Sequence, residues 1–248
     1  MCSEYHIKTN LMEIADELKT AIKTSVAKPE WDQRIKFSLS APVIAKKENE
    51  IRLGELIFPV QPFPNSRLSQ VKEEGQVVRI YDVPLWKQGF SKFPCIVPMT
   101  SFLEPAYWGP NAGQIVEFSP PQGKLFFVPG FLIKPRVPAS GKLNAFTLLT
   151  HTASEQMLQY HHRLLVLLEP EAALEYLNLS DDARPAHATL TPEDRFNFLI
   201  KNRFVPDFKT AKSRHMAKGW EKRVDQHLTA LENEKAYLST LSHEQVLG

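Results

Sequence analysis

The central part of the chain, residues 31–130, consists of short apolar or alternating runs that prolines and glycines interrupt. The chain holds 19 prolines but only 10 glycines, so we expect short strands joined by stiff loops rather than a glycine-rich nucleotide-binding fold. Runs of this length and composition predict β-strands. They are IKFSLS, VVRIYDV, FPCIVPM, QIVEFS and KLFFVPGFLI, followed by NAFTLLT and a buried strand at RLLVLL.

Helical patterns lie on both sides of the predicted strands. Residues 10–26 carry apolar side chains at helical spacing, with Asn10 as the N-cap. Short helices are also predicted at SEQMLQYH and at PEAALEYLN, which has Pro170 in its first turn. A later helix opens with Thr191 as the cap and Pro192 at the first helical position. The last predicted helix covers the charged residues 209–240.

These elements together predict an α+β fold, in which an antiparallel, barrel-like β-sheet core is flanked by helices. We expect one domain over residues 1–185. Residues 186–248 are predicted to form a helical C-terminal extension that packs on the domain or trails it.

Composition narrows the classes of function. The two cysteines, Cys2 and Cys95, are too few for a disulfide framework or a cysteine-rich zinc site, which favours a reducing, cytoplasmic location. The N-terminus has no apolar core of a signal peptide, and no apolar run approaches the ~20 residues that span a bilayer. The formal net charge of +2 does not by itself indicate nucleic-acid binding. We expect a monomer.

Cys2 follows the initiator methionine directly, and removal of Met1 is expected before so small a residue. The exposed cysteine then carries a free α-amine beside its thiol. Such an amine has an ordinary pKa of about 7.7–8.0, so part of it is neutral and nucleophilic at physiological pH. It can form an imine with an aldehyde, onto which the thiol closes to give a thiazolidine. Taken alone, Cys2 also fits a frayed terminus without function.

Four segments, far apart in sequence, carry the other candidate groups. They are Cys2, the tripeptide Asn65-Ser66-Arg67, Glu104 in PCIVPMTSFLEP, and His161 with Arg163 in HHRLLVLL, shortly after Thr150-His151-Thr152-Ala153. Their order and spacing over residues 1–180 resemble the SOS response-associated peptidase (SRAP) family, whose motifs run M-C, N-A-R, R-C-L-V-P-x-x-G-F-Y-E-W, T-x-A and H-x-R-M-P-V-I-L. The chain resembles a divergent member.

The resemblance implies capture of the ring-opened aldehyde of an abasic site in single-stranded DNA, with a covalent link through Cys2. It implies that Asn65 orients the substrate, Glu104 handles the amine proton and His161 is the general acid/base. Arg67 and Arg163 are the implied phosphate contacts. The partner is then single-stranded DNA containing abasic sites, and no metal, organic cofactor or membrane is implied. The candidates for stacking on bases are Phe58, Phe63, Trp86 and Trp108.

The residue types suit this chemistry, although each has a structural alternative. Glu104 is a lone carboxylate in an apolar stretch, where it can exchange protons with an amine, but it also fits a loop carboxylate paired with arginine. A histidine ordinarily titrates near neutral pH, which suits an acid/base, but His161 also fits a solvent-facing turn. Asn65 follows a proline, as many turn residues do. Cys95 lies in an apolar run and is predicted to be a core thiol.

The chain departs from the family at several positions. Ser3 and Glu4 replace a Gly-Arg pair whose arginine lies near the nucleic-acid backbone in the family, so that contact is not carried over. The stretch W-G-x-x-P-x-W reads GELIFPVQPFP here, and Pro105 follows Glu104 in place of tryptophan. Two other functions therefore stay open. One is an N-terminal-nucleophile cysteine peptidase or lyase-like enzyme, and the other is an inactive nucleic-acid-binding or interaction module. The basic tail fits either a solvated helix face or an extension of a non-specific electrostatic footprint.

Overall fold

The computed structural model describes residues 4–36, 39–58, 84–108, 111–133, 145–153, 155–161, 163–179, 199–204 and 220–240. Within these residues two large sheets, mostly antiparallel, face each other and a few helices lie at their margins. The predicted α+β class with a barrel-like core is confirmed.

The first sheet is antiparallel throughout and carries the beginning of the chain at an inner position. Its strands lie in the order β13-β8-β7-β1-β3. They are β1 (Glu4–Asn10), β3 (Glu30–Lys36), β7 (Ser101–Pro105), β8 (Ile115–Ser119) and β13 (Leu199–Phe204). Because β1 lies between β3 and β7, both of its edges are hydrogen-bonded.

The second sheet closes on itself. Its order is β10-β9-β6-β4-β5-β2, and a parallel pairing of Ala145 with Ile57 joins β10 back to β5. Closure removes the exposed edges that an open sheet would present. The strands are β2 (Lys23–Thr24), β4 (Leu39–Lys47), β5 (Glu50–Phe58), β6 (Pro94–Met99), β9 (Phe126–Ile133) and β10 (Ala145–Leu148). A separate two-stranded ladder joins β11 (Thr150–Thr152) and β12 (Arg163–Leu165).

The helices are short except for the last. They are α1 (Leu11–Leu18), α2 (Pro84–Lys92), α3 (Glu155–Leu158), α4 (Pro170–Asn178) and α5 (Trp220–Thr240). Among these described helices, none combines the length and the apolar composition that a membrane crossing requires.

The core lies between the two sheets and is rich in aromatic rings. Tyr5 of β1 meets Phe58 of β5 edge to face at 5.2 Å, and Phe58 stacks on Phe146 of β10 at 5.3 Å. Within the first sheet, Phe102 and Phe118 stack at 5.1 Å. Such pairs add to the stabilisation that area burial provides. Cys95 is fully buried in β6, as predicted for a core thiol, and burial raises its pKa.

Several predicted boundaries are wrong. The helix predicted over residues 10–26 ends at Leu18, where Lys19 adopts a left-handed conformation with φ 49°, and Lys23–Thr24 pair with β5 instead. Residues 84–92, inside the predicted β region, form α2. IKFSLS is divided between β3 and β4.

The end of the chain also differs from its prediction. Leu199–Phe204, predicted to continue a helix from Thr191, forms strand β13, because it pairs with β8 at the edge of the first sheet. Residues 77–83 and 191–198 lie outside the described residues. So does the predicted domain boundary at residue 185, which stays a prediction. Within residues 209–240, helix is confirmed for α5.

Candidate functional site

Glu104 is a buried carboxylate on an inner strand. It lies near the end of β7, opposite Val116 of β8, and its side chain is 1% exposed. Burial raises the pKa of the Glu104 carboxyl to about 7. A carboxyl with this pKa is close to half ionised at neutral pH, which suits a group that both accepts and returns a proton.

The beginning of β1 lies beside Glu104. In the antiparallel pairing of β1 with β7, Glu4 is opposite Leu103, the residue directly before Glu104. Glu4 also forms ion pairs with Arg34 and, at 3.7 Å, with Lys36 of β3. Glu4, which replaces the family's arginine, is therefore part of the anchor that holds the first described residue of the chain in the sheet.

His161 is fully buried between α3 and β12. Its backbone amide donates to the Met157 carbonyl at 3.0 Å, so the last turn of α3 fixes its position. Its ring Nδ1 accepts from the Arg163 amide at 2.9 Å and lies 3.0 Å from the Arg163 carbonyl oxygen. Nδ1 of the neutral ring can accept a hydrogen bond from the Arg163 amide, and protonated Nδ1 can donate one to the Arg163 carbonyl. Each protonation state thus has a backbone partner, which suits a proton shuttle.

Arg163 is directed towards β11. Its Nη2 donates to the Thr150 carbonyl at 2.8 Å and to the Thr150 hydroxyl at 2.9 Å, and the residue is 9% exposed. This side chain therefore links the two strands of the small ladder beside His161. The phosphate contact predicted for Arg163 stays a prediction.

The segments that carry Glu104 and His161 are joined directly. The Tyr107 amide, three residues after Glu104, donates to the Tyr160 carbonyl at 2.8 Å, directly before His161. The indole of Trp108 donates to the Leu158 carbonyl at 2.5 Å. The rings of Tyr107 and His161 lie 5.0 Å apart. These contacts bring the two predicted proton-handling residues into one region of the molecule.

Two residues of this region were not singled out from the sequence. One is Tyr107, and the other is His227 of α5, whose ring lies 3.9 Å from that of Tyr107 and 5.4 Å from that of His161. Tyr107 carried a weak signal, because it follows Glu104 closely and precedes Trp108. The only sequence signal for His227 was its position as the polar member of a helix face that also holds Val224, Ala230 and Leu231.

The other predicted residues divide into two groups. Cys2, Asn65, Arg67 and Phe63 lie outside the described residues. Phe58 and Trp86 are core side chains, 2% and 5% exposed, so the prediction that they stack on bases is wrong.

Within the part of the chain that the structure describes, no group of three or more His, Cys, Asp or Glu side chains is arranged to hold a metal ion.

The sequence profile of one protein family, described as SOS response associated peptidase (SRAP), matches residues 1–201 of this chain. No curated protein matches the sequence significantly. The matched part contains both sheets almost entirely, and α5 lies beyond it.

Solved structures with the same fold come from two bacteria. A protein from Bordetella bronchiseptica is 17% identical with a TM-score of 0.62, over 82% of this chain and 100% of its own. A phage-related protein from the same organism is 17% identical with a TM-score of 0.59, over 82% and 95%. A Bacteroides thetaiotaomicron protein is 15% identical with a TM-score of 0.59, over 86% and 96%. At these identities the likeness concerns the fold.

Proposed function

Because the chain belongs to the SOS response associated peptidase (SRAP) family, we propose that it captures abasic sites in single-stranded DNA by a covalent bond to Cys2. Membership of the family supports a DNA-damage-associated function. The aldehyde of a ring-opened abasic site is the electrophile that an N-terminal aminothiol recognises by its chemistry.

The proposed reaction needs no oxidant and no external donor. The neutral α-amine of Cys2 adds to the aldehyde carbon, and the carbinolamine loses its hydroxyl as water to leave an imine. The thiol sulfur then bonds to the imine carbon while the nitrogen regains a proton. The products are a thiazolidine and one water molecule.

The observation that carries the proposal is the buried Glu104 carboxyl beside the start of β1. Cys2 precedes Glu4 by two residues, and two residues of extended chain span at most about 7 Å. Glu4 in turn is opposite Leu103, the neighbour of Glu104. The pKa of Glu104, which burial raises to about 7, supports its role as the group that takes the amine proton.

The remaining groups have complementary roles. His161, whose ring has a backbone partner in both protonation states, protonates the leaving hydroxyl or the sugar-ring oxygen. Asn65 orients the substrate, and Arg67 and Arg163 contact phosphates. We also place the protein in the cytoplasm, where the Cys2 thiol would stay reduced.

The experiment is incubation with single-stranded DNA that contains one abasic site, followed by denaturing electrophoresis and intact mass measurement. We expect the native protein to lack Met1 and to form a heat-stable adduct, and DNA without the abasic site to give none. Cys2→Ala should form no thiazolidine. Cys2→Ser should form an adduct that borohydride traps as the reduced imine. An N-terminally tagged protein that reacts as well as the native one would rule out the thiazolidine.

The helper groups are tested with the same DNA. His161→Ala should slow adduct formation while DNA affinity changes little, because the imidazole acts on protons. Arg67→Ala should weaken binding and lower the slope of log K against log salt by roughly 0.7, as one lost phosphate contact does for single strands. Arg163→Ala should do the same. If His161→Ala costs affinity and Arg163→Ala costs rate, the two roles are inverted.

A second candidate function uses the same residue. The family description names a peptidase, and the α-amine of Cys2 would then be the base for its own thiol. Cys2-dependent peptide cleavage without a DNA adduct would favour this activity. DNA binding with neither reaction would indicate an inactive binding module.

A further inference from the structure

Helix α5 has one buried face although it lies beyond the part of the chain that the family profile matches. Ala230 is fully buried, and Val224, His227 and Leu231 are partly buried. These positions recur at helical spacing, so they share one side of the helix. Residues between them, such as Asp225 and Thr229, are exposed. The helix therefore packs by this face.

That face meets the candidate site. The His227 ring lies 3.9 Å from the Tyr107 ring with an interplanar angle of 32°, and Tyr107 in turn contacts His161. A planar heteroaromatic ring at this distance occupies the place in which a nucleobase stacks on an aromatic side chain. His161 is fully buried, and its ring lies 5.4 Å from that of His227. In this arrangement the His161 ring has no exposed surface that DNA could reach.

We propose that the ring face of Tyr107 is a base-stacking position of the DNA groove, and that His227 occupies it until single-stranded DNA displaces α5. This inference rests on the proposed function for its choice of ligand. A base and His227 compete for one ring face, so the helix holds the site closed in the absence of DNA. Ala230, the fully buried residue of this face, is small and buries little apolar surface, which keeps displacement of the helix within reach of a few stacked bases.

The test measures binding of intact single-stranded DNA, without abasic sites, by fluorescence anisotropy at fixed salt. His227→Ala should tighten binding by about threefold to tenfold, because it removes the competing stack. Tyr107→Leu should weaken binding at least about fivefold, and Tyr107→Phe, which keeps the ring face, should bind as the native protein does. In the Tyr107→Leu background, His227→Ala should have no effect. Leu228→Ala, at an exposed position of the same helix, is the matched control and should change nothing.

A second readout does not depend on DNA. Carbethoxylation of His161 by diethyl pyrocarbonate, located by peptide mass spectrometry, should rise severalfold in His227→Ala relative to Leu228→Ala. Unchanged labelling, unchanged or weaker DNA binding by His227→Ala, or a gain that persists in Tyr107→Leu would each overturn the inference. Absence of binding to intact DNA by every variant would overturn it as well.

Covalent capture of abasic DNA is measured in parallel, so the two proposals fail separately. If the binding cycle behaves as expected but no adduct forms, covalent capture is wrong and the stacking position stands. If adducts form at equal rates in the native protein and His227→Ala, and no variant changes DNA binding, the stacking position and its closure by α5 are wrong and covalent capture stands.

Discussion

At the scale of single residues, the site depends on how burial alters ordinary side chains. Glu104 has the same carboxyl as the exposed glutamates of the chain, but its place between inner strands makes ionisation costly. The Nδ1 atom of His161 is held by the backbone amide and carbonyl of Arg163. The reactivity proposed for these groups thus follows from their surroundings. For Glu104, the raised pKa should be visible as a dependence of stability on pH.

Replacing Glu104 with glutamine should stabilise the protein at neutral and alkaline pH. The pKa of the Glu104 carboxyl is about 7 in the folded protein against an ordinary value of 4.5, so folding favours the protonated form. The loss of unfolding free energy that ionisation of Glu104 causes is absent below pH 4.5 and grows as the pH rises towards 7. Above pH 7 it reaches about 3 kcal/mol. We expect the free energy of unfolding of Glu104→Gln, measured in urea, to exceed that of the native protein by up to this amount at pH 8 and by almost nothing at pH 4.

The same variant should be slow in adduct formation, because glutamine cannot accept the amine proton. Glu30→Gln, at an exposed carboxylate of β3, controls for a general effect of charge. Equal stability of Glu104→Gln and the native protein across this pH range would show that the buried carboxyl is ionised without cost.

At the scale of elements, short strands and helices are positioned by local signals at their ends. Helix α1 begins with a capping box, in which the Asn10 side chain accepts from the Glu13 amide at 3.0 Å and the Glu13 carboxylate faces the Asn10 amide at 3.4 Å. The Thr9 hydroxyl donates to the same carboxylate at 2.7 Å. Strand β1 therefore passes directly into α1, and the cap connects the strand that leads to the site with the helix that follows.

Asn10→Ala should destabilise the protein by about 1 kcal/mol, as the loss of an N-cap does. The reason is that the first-turn amides of α1 lose their side-chain acceptor. Chemical denaturation measures the effect. Met12→Ala, in the same turn but 75% exposed, should be close to neutral. A loss for Met12→Ala as large as for Asn10→Ala would mean that helix propensity, rather than the cap, determines stability here.

At the scale of the whole molecule, the second sheet contains one close backbone approach between β9 and β10. Gly130 of β9 lies opposite Leu148 of β10, and a β-carbon added to it would lie 1.9 Å from the Thr147 carbonyl oxygen. The neighbour is backbone in a paired strand, so it cannot turn aside. Glycine is thus required where the closed sheet brings these strands together.

Gly130→Ala should therefore cost at least about 3 kcal/mol, because the seam between β9 and β10 must open to admit the methyl group. Gly54→Ala in β5 is the matched control, since a β-carbon there meets nothing within 4 Å. It should be neutral or stabilise by up to about 1 kcal/mol. Thermal unfolding of both variants measures the difference. A Gly130→Ala variant as stable as the native protein would show that the backbone of β10 does not lie this close to Gly130.

The family, the α+β class and the burial of Cys95 were predictable from the sequence, because short runs interrupted by proline and the order of the motifs are local properties of the chain. Asn10 was recognisable as a cap for the same reason. The pattern of residues 199–204 was not decisive, since the six residues LIKNRF suit a helix or a strand edge until β8 is available to pair with them.

The tertiary structure alone decided the closure of the sheet through Ala145 and Ile57, the burial of Phe58 and Trp86, and the meeting of Tyr107, His161 and His227. These features join residues that lie tens of residues or more apart, and no local pattern encodes such a distance. The raised pKa of Glu104 belongs with them. Its value depends on the water that the surrounding strands exclude, which is a property of the packed molecule and not of the residue.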